Sequence, residues 1–232
     1  MLNENAPLPQ DILAPLSGSE RVMNHSVSVD GSRWRREIDA RGLPPIAGKL
    51  SSEDRTTLSR REVFEFGTRE ISTDNAFQLL YYSLAWGLGL TGSWMTGRLD
   101  DLATQRESAP GLLTAAWGSV REGQSPVSSY RVLMTEGGAG KIKGLGPAFA
   151  TKFLYFAEGS TNEPRHVIID KVVSTNLRRD AWPESPTAAW WPETYERYCN
   201  LLARWASEAS ERPEVNRTVR TDEIELALFK RK

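Results

Sequence analysis

The feature that most constrains this chain is a glycine turn, Gly144-Leu145-Gly146, that leads directly into an apolar segment beginning at Pro147. Glycine permits positive φ and close backbone approach, and proline suits the first turn of a helix, where its missing N–H would have no partner. The sequence therefore predicts a tight hairpin followed by a helix. The helix N-terminus and the flanking Lys141 and Lys143 would suit a phosphate, although such a turn also occurs as a purely structural connection.

A carboxylate follows this predicted helix after a polar insert. Asp170 ends the apolar run Val167-Ile168-Ile169 and precedes a helical pattern that begins at Lys171. A carboxylate delivered by an apolar run is a candidate functional residue, because burial and nearby charges can tune its pKa. It is also a reasonable N-cap for the helix that follows, and the two roles are compatible.

The glycine turn and the aspartate together resemble the helix-hairpin-helix superfamily of DNA glycosylases. The resemblance is carried by Ile142, by Gly144-Leu145-Gly146-Pro147-Ala148-Phe149-Ala150 and by Val167-Ile168-Ile169-Asp170. Within that superfamily, residues 145–156 and Ala85-Trp86-Gly87 are most similar to the bacterial branch with an 8-oxoguanine DNA glycosylase fold. The resemblance covers roughly the middle and C-terminal two-thirds of the chain.

This resemblance implies an all-α, or mainly α-helical, fold with two helical lobes and the active-site cleft between them. It implies a DNA glycosylase that excises a flipped base, with the backbone at Gly144, Gly146 and Ala148 on a phosphate and Asp170 as the catalytic carboxylate. The expected substrate is an oxidised purine such as 8-oxoguanine, or a modified base of phage DNA. The expected role is base-excision repair or antiviral defence.

A lysine near the hairpin bears on whether the DNA strand is also cut. Superfamily members that cut the strand use a lysine at the start of the second hairpin helix, whose amine forms a Schiff base with the sugar. Aligning the glycines puts Ala148 at that position. Lys152 lies one helical turn later on the same face and 18 residues before Asp170, close to the usual lysine-to-aspartate interval of the superfamily. Lys152 is thus a second candidate catalytic residue, with a surface lysine as the alternative.

Aromatic side chains are the candidates for holding a flipped base, because a base outside the duplex is stabilised by stacking. Among the eight tryptophans, we single out Trp86, Trp94 and Trp191, with Trp190 as a neighbour. The alternative for each is a place in the hydrophobic core.

Overall composition gives no strong nucleic-acid signal. The 232 residues carry a formal net charge of −1. Residues 121–180 nevertheless hold nine Lys or Arg against six acidic residues, and an enzyme can concentrate its cations on one face. Double-stranded DNA with a damaged or modified base remains the expected partner, bound by a monomer.

No cofactor and no metal are expected. The single cysteine, Cys199, excludes an internal disulfide, a cysteine-rich metal site and an iron–sulfur cluster. No apolar run approaches the roughly 20 residues of a membrane-spanning helix, and the first 17 residues lack a signal-peptide pattern. The sequence therefore predicts a cytoplasmic, nucleoid-associated bacterial protein with no membrane partner.

Apolar periodicity divides the chain into an N-terminal arm and irregular segment, residues 1–60, and a helical domain, residues 61–232. Strand-like alternation is nearly absent. Helices are predicted around 60–67, from Thr73 or Asp74 to Gly87, and within 94–104, 112–120 and 126–135. The hairpin spans about 126–157 and the catalytic segment 167–177, and the C-terminal helices span 193–210 and 222–229, the last capped by Thr221 or Asp222.

Two other functions remain open on the sequence alone. A non-catalytic helix-hairpin-helix protein would bind DNA through the glycine turn and the lysines without needing Asp170. An unrelated all-α interaction domain would use the glycines only as a turn and present the aromatic C-terminal helix to a partner.

Overall fold

The computed structural model describes residues 1–16, 18–90, 94–159, 161 and 163–231. Across these residues it contains 13 α-helices, 56% helix and one small two-stranded sheet. The helices are α1 (Gln10–Leu13), α2 (Gly18–Met23), α3 (Gly31–Asp39), α4 (Lys49–Ser52), α5 (Arg60–Gly67), α6 (Thr73–Leu88), α7 (Met95–Ala103), α8 (Ala109–Arg121), α9 (Pro126–Leu133), α10 (Pro147–Ala157), α11 (Lys171–Asn176), α12 (Pro192–Ser210) and α13 (Thr221–Lys230). The mainly α-helical class is confirmed, whereas the two lobes and the cleft stay predictions.

Helix α6 lies in the hydrophobic core. Every side chain from Ala76 to Trp86 is buried, and the helix packs against α5, α8 and α10. Its N-cap is Ser72, whose hydroxyl accepts a hydrogen bond from the Asn75 amide at 3.2 Å, rather than the predicted Thr73 or Asp74. Ser72 takes the cap because its backbone is extended while the next residue is already helical.

The prediction of an irregular segment is wrong for residues 26–59. Strands β1 (Ser26–Asp30) and β2 (Arg55–Ser59) pair antiparallel, with Ser26 opposite Ser59, and α3 and α4 lie between them in the chain. The first 16 residues also contribute buried side chains to the core. Each strand has five residues and a largely exposed outer face, so neither shows a long apolar alternation. The domain boundary at residue 60 stays a prediction.

The segment predicted as the hairpin consists of α9, a connection over residues 134–146, and α10. Helix α10 has the predicted bounds because Pro147 occupies its first turn and the run from Ala150 to Ala157 is buried. Helix α8 begins earlier than predicted. Pro110 lies inside its first turn instead of breaking the chain, since a proline there costs no hydrogen bond.

The C-terminal helices α12 and α13 pack against each other, and α12 also packs on α9. Helix α13 is capped by Arg220, so Thr221 and Asp222 lie in its first turn and are buried. The prediction that one of these two residues is the cap is wrong, because the first turn is drawn into the core. Among the described residues, no helix is both long and apolar enough to cross a membrane.

Candidate active site

The glycine turn ahead of α10 is packed tightly against α7. Gly144 has a φ of 81°, in the left-handed region that favours glycine. A Cβ at this position would lie 3.0 Å from the Cβ of Asp101 and 3.2 Å from the Cα of Arg98. Gly146 is different, because its φ of −75° and ψ of 172° are ordinary extended values for the N-cap of α10. The positive φ that the turn suggested therefore applies to Gly144 alone.

Two lysines lie at the surface beside this turn. The Lys143 ammonium is 2.7 Å from the Asp101 carboxylate, which raises the pKa of the lysine through a hydrogen bond. Lys141 donates to the carbonyl of Arg131 at 2.6 Å. Ala148, in the first turn of α10, is half-buried. Two cations and a helix N-terminus thus share one stretch of backbone, an arrangement that suits an anion.

Lys152 and Asp170 meet at the middle of α10. The Lys152 Nζ atom lies 3.5 Å from the Asp170 Oδ2 atom, and the side chains are 6% and 19% exposed. The ammonium also lies 3.5 Å from the carbonyl oxygen of Ala148, one turn earlier. Burial lowers the pKa of Lys152, and the neighbouring Asp170 opposes that shift. Lys152 is therefore a buried amine paired with a carboxylate, rather than a surface lysine.

The two oxygens of Asp170 have different partners. Oδ1 accepts hydrogen bonds from the amides of Val172 at 2.9 Å and Val173 at 3.1 Å, which caps helix α11. Oδ2 faces Lys152. Since capping occupies one oxygen only, the structural role leaves the second oxygen available for another interaction.

Three hydroxyl groups hold the backbone that leads to Asp170. Thr151, from α10, exchanges hydrogen bonds with the carbonyl and the amide of Ile169 at 3.2 and 3.3 Å. Tyr195 and Tyr198, both from α12, donate to the carbonyls of residues 167 and 168 at 3.2 and 2.6 Å. This segment is neither helix nor strand, so buried carbonyls that secondary structure would satisfy are satisfied by side chains instead. The position of Asp170 is thereby fixed from α10 and α12.

Helix α6 approaches Lys152 at an exposed glycine. A Cβ on Gly87 would lie 2.7 Å from the Phe149 ring and 2.9 Å from the Lys152 Cδ atom. Gly87 itself is exposed. The stem of the buried lysine therefore lies directly beneath a point on the surface that has no side chain.

Arg98 connects the glycine turn with the lysine. Its guanidinium donates to the carbonyl of Gly144 and stacks 4.4 Å from the centre of the Phe149 ring. The Lys152 ammonium is 5.6 Å from the centre of the same ring. Burial lowers the pKa of Arg98. The turn, Arg98, Phe149 and Lys152 thus form a continuous set of contacts along α10.

A buried charge network behind α10 was missed by the sequence analysis. The Arg60 guanidinium lies 2.7 Å from the Glu225 carboxylate, and both side chains are almost fully buried, at 1% and 2% exposure. Arg60 also donates to the hydroxyl of Tyr155 at 3.2 Å, and Tyr155 donates to Asp222 at 2.8 Å. The sequence offered only a weak signal, since acidic residues in the first turn of α13 are equally typical of a solvated helix start.

The tryptophans singled out from the sequence occupy different environments. Trp86 is buried, donates to the carbonyl of His25 at 3.3 Å and stacks with Arg60 at 5.0 Å. Trp94 and Trp191 are 71% and 62% exposed at the N-caps of α7 and α12. Trp190 is buried beside Trp191. Trp94 and Trp191 are therefore open to solvent, whereas Trp86 and Trp190 are not.

No metal centre accompanies these residues in the part of the chain that the structure describes. There, no group of three or more His, Cys, Asp or Glu side chains is arranged to hold a metal ion. Burial raises the pKa of the Cys199 thiol to about 12, which keeps it protonated at neutral pH.

One protein-family model matches nearly the whole chain. The family model described as "Putative 8-oxoguanine DNA glycosylase OGG-like protein" matches residues 20–229. The chain therefore belongs to this OGG family, whose description is that of a DNA glycosylase. Searches of curated proteins and of solved structures found no match.

Proposed function

We propose that this protein excises a damaged or modified base from double-stranded DNA by breaking the N-glycosidic bond, with Asp170 and Lys152 as catalytic residues. The observation that carries the proposal is the 3.5 Å contact between the Lys152 ammonium and the Asp170 carboxylate. Lys152 lies on α10, the helix that starts at the glycine turn, so the proposed DNA-binding turn and one member of the pair belong to the same helix.

Asp170 supplies negative charge beside the sugar. As the glycosidic bond breaks, positive charge develops on the anomeric carbon, and a carboxylate a few ångströms away stabilises it. The cap of α11 holds Oδ1, which keeps the carboxylate from rotating while Oδ2 faces the site. Preorganisation of this kind avoids reorganising the charge during the reaction.

Lys152 supports a second route in which the strand is also cut. Burial lowers the pKa of the amine, and a neutral amine is the nucleophilic form. Its lone pair would form a bond to the anomeric carbon, while the electrons of the glycosidic bond leave with the base, which takes the proton that the amine loses. Opening of the sugar ring at its oxygen then gives the imine, and loss of a proton from the adjacent sugar carbon expels the 3′ phosphate and cuts the strand. In the purely hydrolytic route a water molecule attacks instead, and Lys152 serves as a cation next to Asp170.

The turn around Gly144 is proposed to bind a DNA phosphate. The positive end of α10, Gly146 and Ala148 in its first residues, and the exposed Lys141 and Lys143 support this role. A phosphate would compete with Asp101 for Lys143, because that ion pair is exposed and therefore weak.

The flipped base is proposed to stack on an exposed aromatic ring. Trp94 and Trp191 have the accessibility that this requires. Trp86 is buried and packs on Arg60, so we assign it a packing role. Family membership favours an oxidised purine such as 8-oxoguanine, and the same chemistry would serve repair or defence against phage DNA with a modified base.

The test compares duplexes that carry a single 8-oxoguanine, another oxidised purine or a modified pyrimidine with an undamaged duplex. Mass analysis of released bases is expected to show one preferred lesion for the wild-type protein. Asp170→Asn is expected to lose base release and retain DNA binding, because the amide preserves the shape of the cap but not the charge. Borohydride trapping then distinguishes the routes, since only the amine route leaves a reducible imine on Lys152.

DNA binding without base release from any lesion would overturn the enzymatic proposal and favour a non-catalytic DNA-binding protein. Absence of salt-dependent DNA binding would contradict both and favour an interaction domain.

A further inference from the structure

The Arg60–Glu225 pair is costly where it stands. Both side chains are almost fully buried, and the Nε atom of Arg60 has no hydrogen-bond partner among the described residues. Replacing a buried ion pair by apolar residues is often neutral or stabilising, because the desolvation of two charges exceeds their attraction. The free energy of folding therefore does not explain why this ion pair is present. Its position close to Lys152 offers an explanation.

The pair lies directly behind Lys152. Arg60 donates to Tyr155, which is three residues after Lys152 on the same helix and therefore on a neighbouring part of its surface. Arg60 also stacks on Trp86, and a Cβ on the next residue, Gly87, would lie 2.9 Å from the Lys152 Cδ atom. Helices α5 and α10, which carry Arg60 and Lys152, pack against each other.

We propose that Arg60 and Glu225 are positioning residues that set the charge state of the Lys152 amine. Glu225, together with Asp170, favours the proton on the amine, and Arg60 limits that effect. The catalytic use of this charge state rests on the proposed function, whereas the charge state itself can be measured without DNA.

Charged and phenolic groups surround the amine on several helices. Asp170 contacts it from the start of α11. Tyr155 lies three residues along α10 and connects to Arg60 on α5, which is paired with Glu225 on α13, while Tyr198 lies on α12 and holds the segment before Asp170. Burial lowers the pKa of Lys152, whereas Asp170 and Glu225 raise it and Arg60 opposes them. The same burial raises the pKa of Glu225.

The experiment is a pH titration of the Lys152 side-chain nitrogen by NMR in protein labelled with ¹⁵N-lysine, with the signal assigned by its loss in Lys152→Met. Glu225→Gln retains a hydrogen-bond acceptor for Arg60 but removes the charge. We expect it to lower the midpoint of Lys152 by about one pH unit. An unchanged midpoint would overturn the inference.

Glu223→Gln is the matched control. Glu223 lies on the same helix and is also 2% exposed, but it is paired with Arg217 at 2.7 Å and not with Arg60. Its removal is expected to leave the Lys152 midpoint unchanged. A shift equal to that of Glu225→Gln would overturn the inference, because it would indicate a general loosening of α13.

A double variant covers the case in which Glu225→Gln does not fold. Arg60→Leu with Glu225→Leu removes both charges and leaves no unpaired buried ion. Because the pair is proposed to set the charge state of Lys152, this variant is also expected to shift the midpoint. An unchanged midpoint would contradict the assignment. Failure of borohydride trapping in the wild-type protein would count against the amine route alone, because the titration needs no substrate.

Discussion

The hydroxyl of Thr151 exchanges two hydrogen bonds with the backbone of Ile169, at 3.2 Å to its carbonyl and 3.3 Å from its amide. These residues are 18 positions apart in the chain, and each is the immediate neighbour of a proposed catalytic residue. The link therefore fixes the distance between α10, which carries Lys152, and the segment that delivers Asp170.

Thr151→Val is expected to reduce base excision more than DNA binding. The substitution is nearly isosteric but leaves two buried backbone groups without partners, at a cost of about 1–3 kcal/mol in the free energy of unfolding. Urea denaturation measures this cost, and single-turnover kinetics measures the loss of excision. Thr151→Ser, which keeps the hydroxyl, is the control and is expected to retain most activity. Full activity in the valine variant would contradict a positioning role for this link.

Gly87→Ala is expected to impair any reaction that uses Lys152. The new methyl group would lie 2.7 Å from Phe149 and 2.9 Å from the Lys152 Cδ atom, so the lysine stem must move. Borohydride trapping or excision rate measures the effect. Gly118→Ala is the control: it lies in helix α8 with nothing within 4 Å of the new atom, and it should stabilise the protein by about 0.5–1 kcal/mol without changing activity. Equal activity of the two variants would argue against a close approach at Gly87.

Gly144→Ala is expected to weaken DNA binding. Alanine would be strained at a φ of 81° and would also meet Asp101 and Arg98 at 3.0 and 3.2 Å, so the turn must change shape. Gly42→Ala has the same kind of backbone strain, at a φ of 58°, with nothing within 4 Å. Binding of a duplex at several salt concentrations is the measurement. A similar affinity for both variants would show that strain, rather than the shape of the turn, governs the result.

The pH dependence of stability gives a test of the burial of Lys152. Its pKa in the folded protein is lowered from 10.5, so the unfolded chain binds more protons between the two values. The contribution of Lys152 to the free energy of unfolding should therefore rise with pH through this window and level off above about 10.5. Lys152→Met is expected to lack the contribution, whereas Lys143→Met, which removes an exposed lysine, should keep it. Urea denaturation from neutral to alkaline pH measures the difference, and an equal rise in all three proteins would contradict it.

Sequence patterns predicted the local parts of the site well. Helix α10 has its predicted bounds, because Pro147 favours the first turn of a helix and the apolar run that follows it is buried. The cap formed by Asp170 was also foreseen as one of its two roles, since an aspartate before a helix has its partners within three residues. Where a cap or a helix start depended on packing, as at Ser72 and Arg220, the predicted position was one or two residues off.

The sequence by itself determined a mainly helical chain, the glycine turn with its helix, and the carboxylate that follows, because these depend on interactions over a few residues. Only the tertiary structure decided that Lys152 is buried against Asp170, that β1 pairs with β2, and that Arg60 meets Glu225, 165 residues away. A charged side chain has no periodic signature, and whether it is solvated or buried depends on which distant elements cover it. The contacts of the proposed active site join distant parts of the chain, so only the tertiary structure determines them.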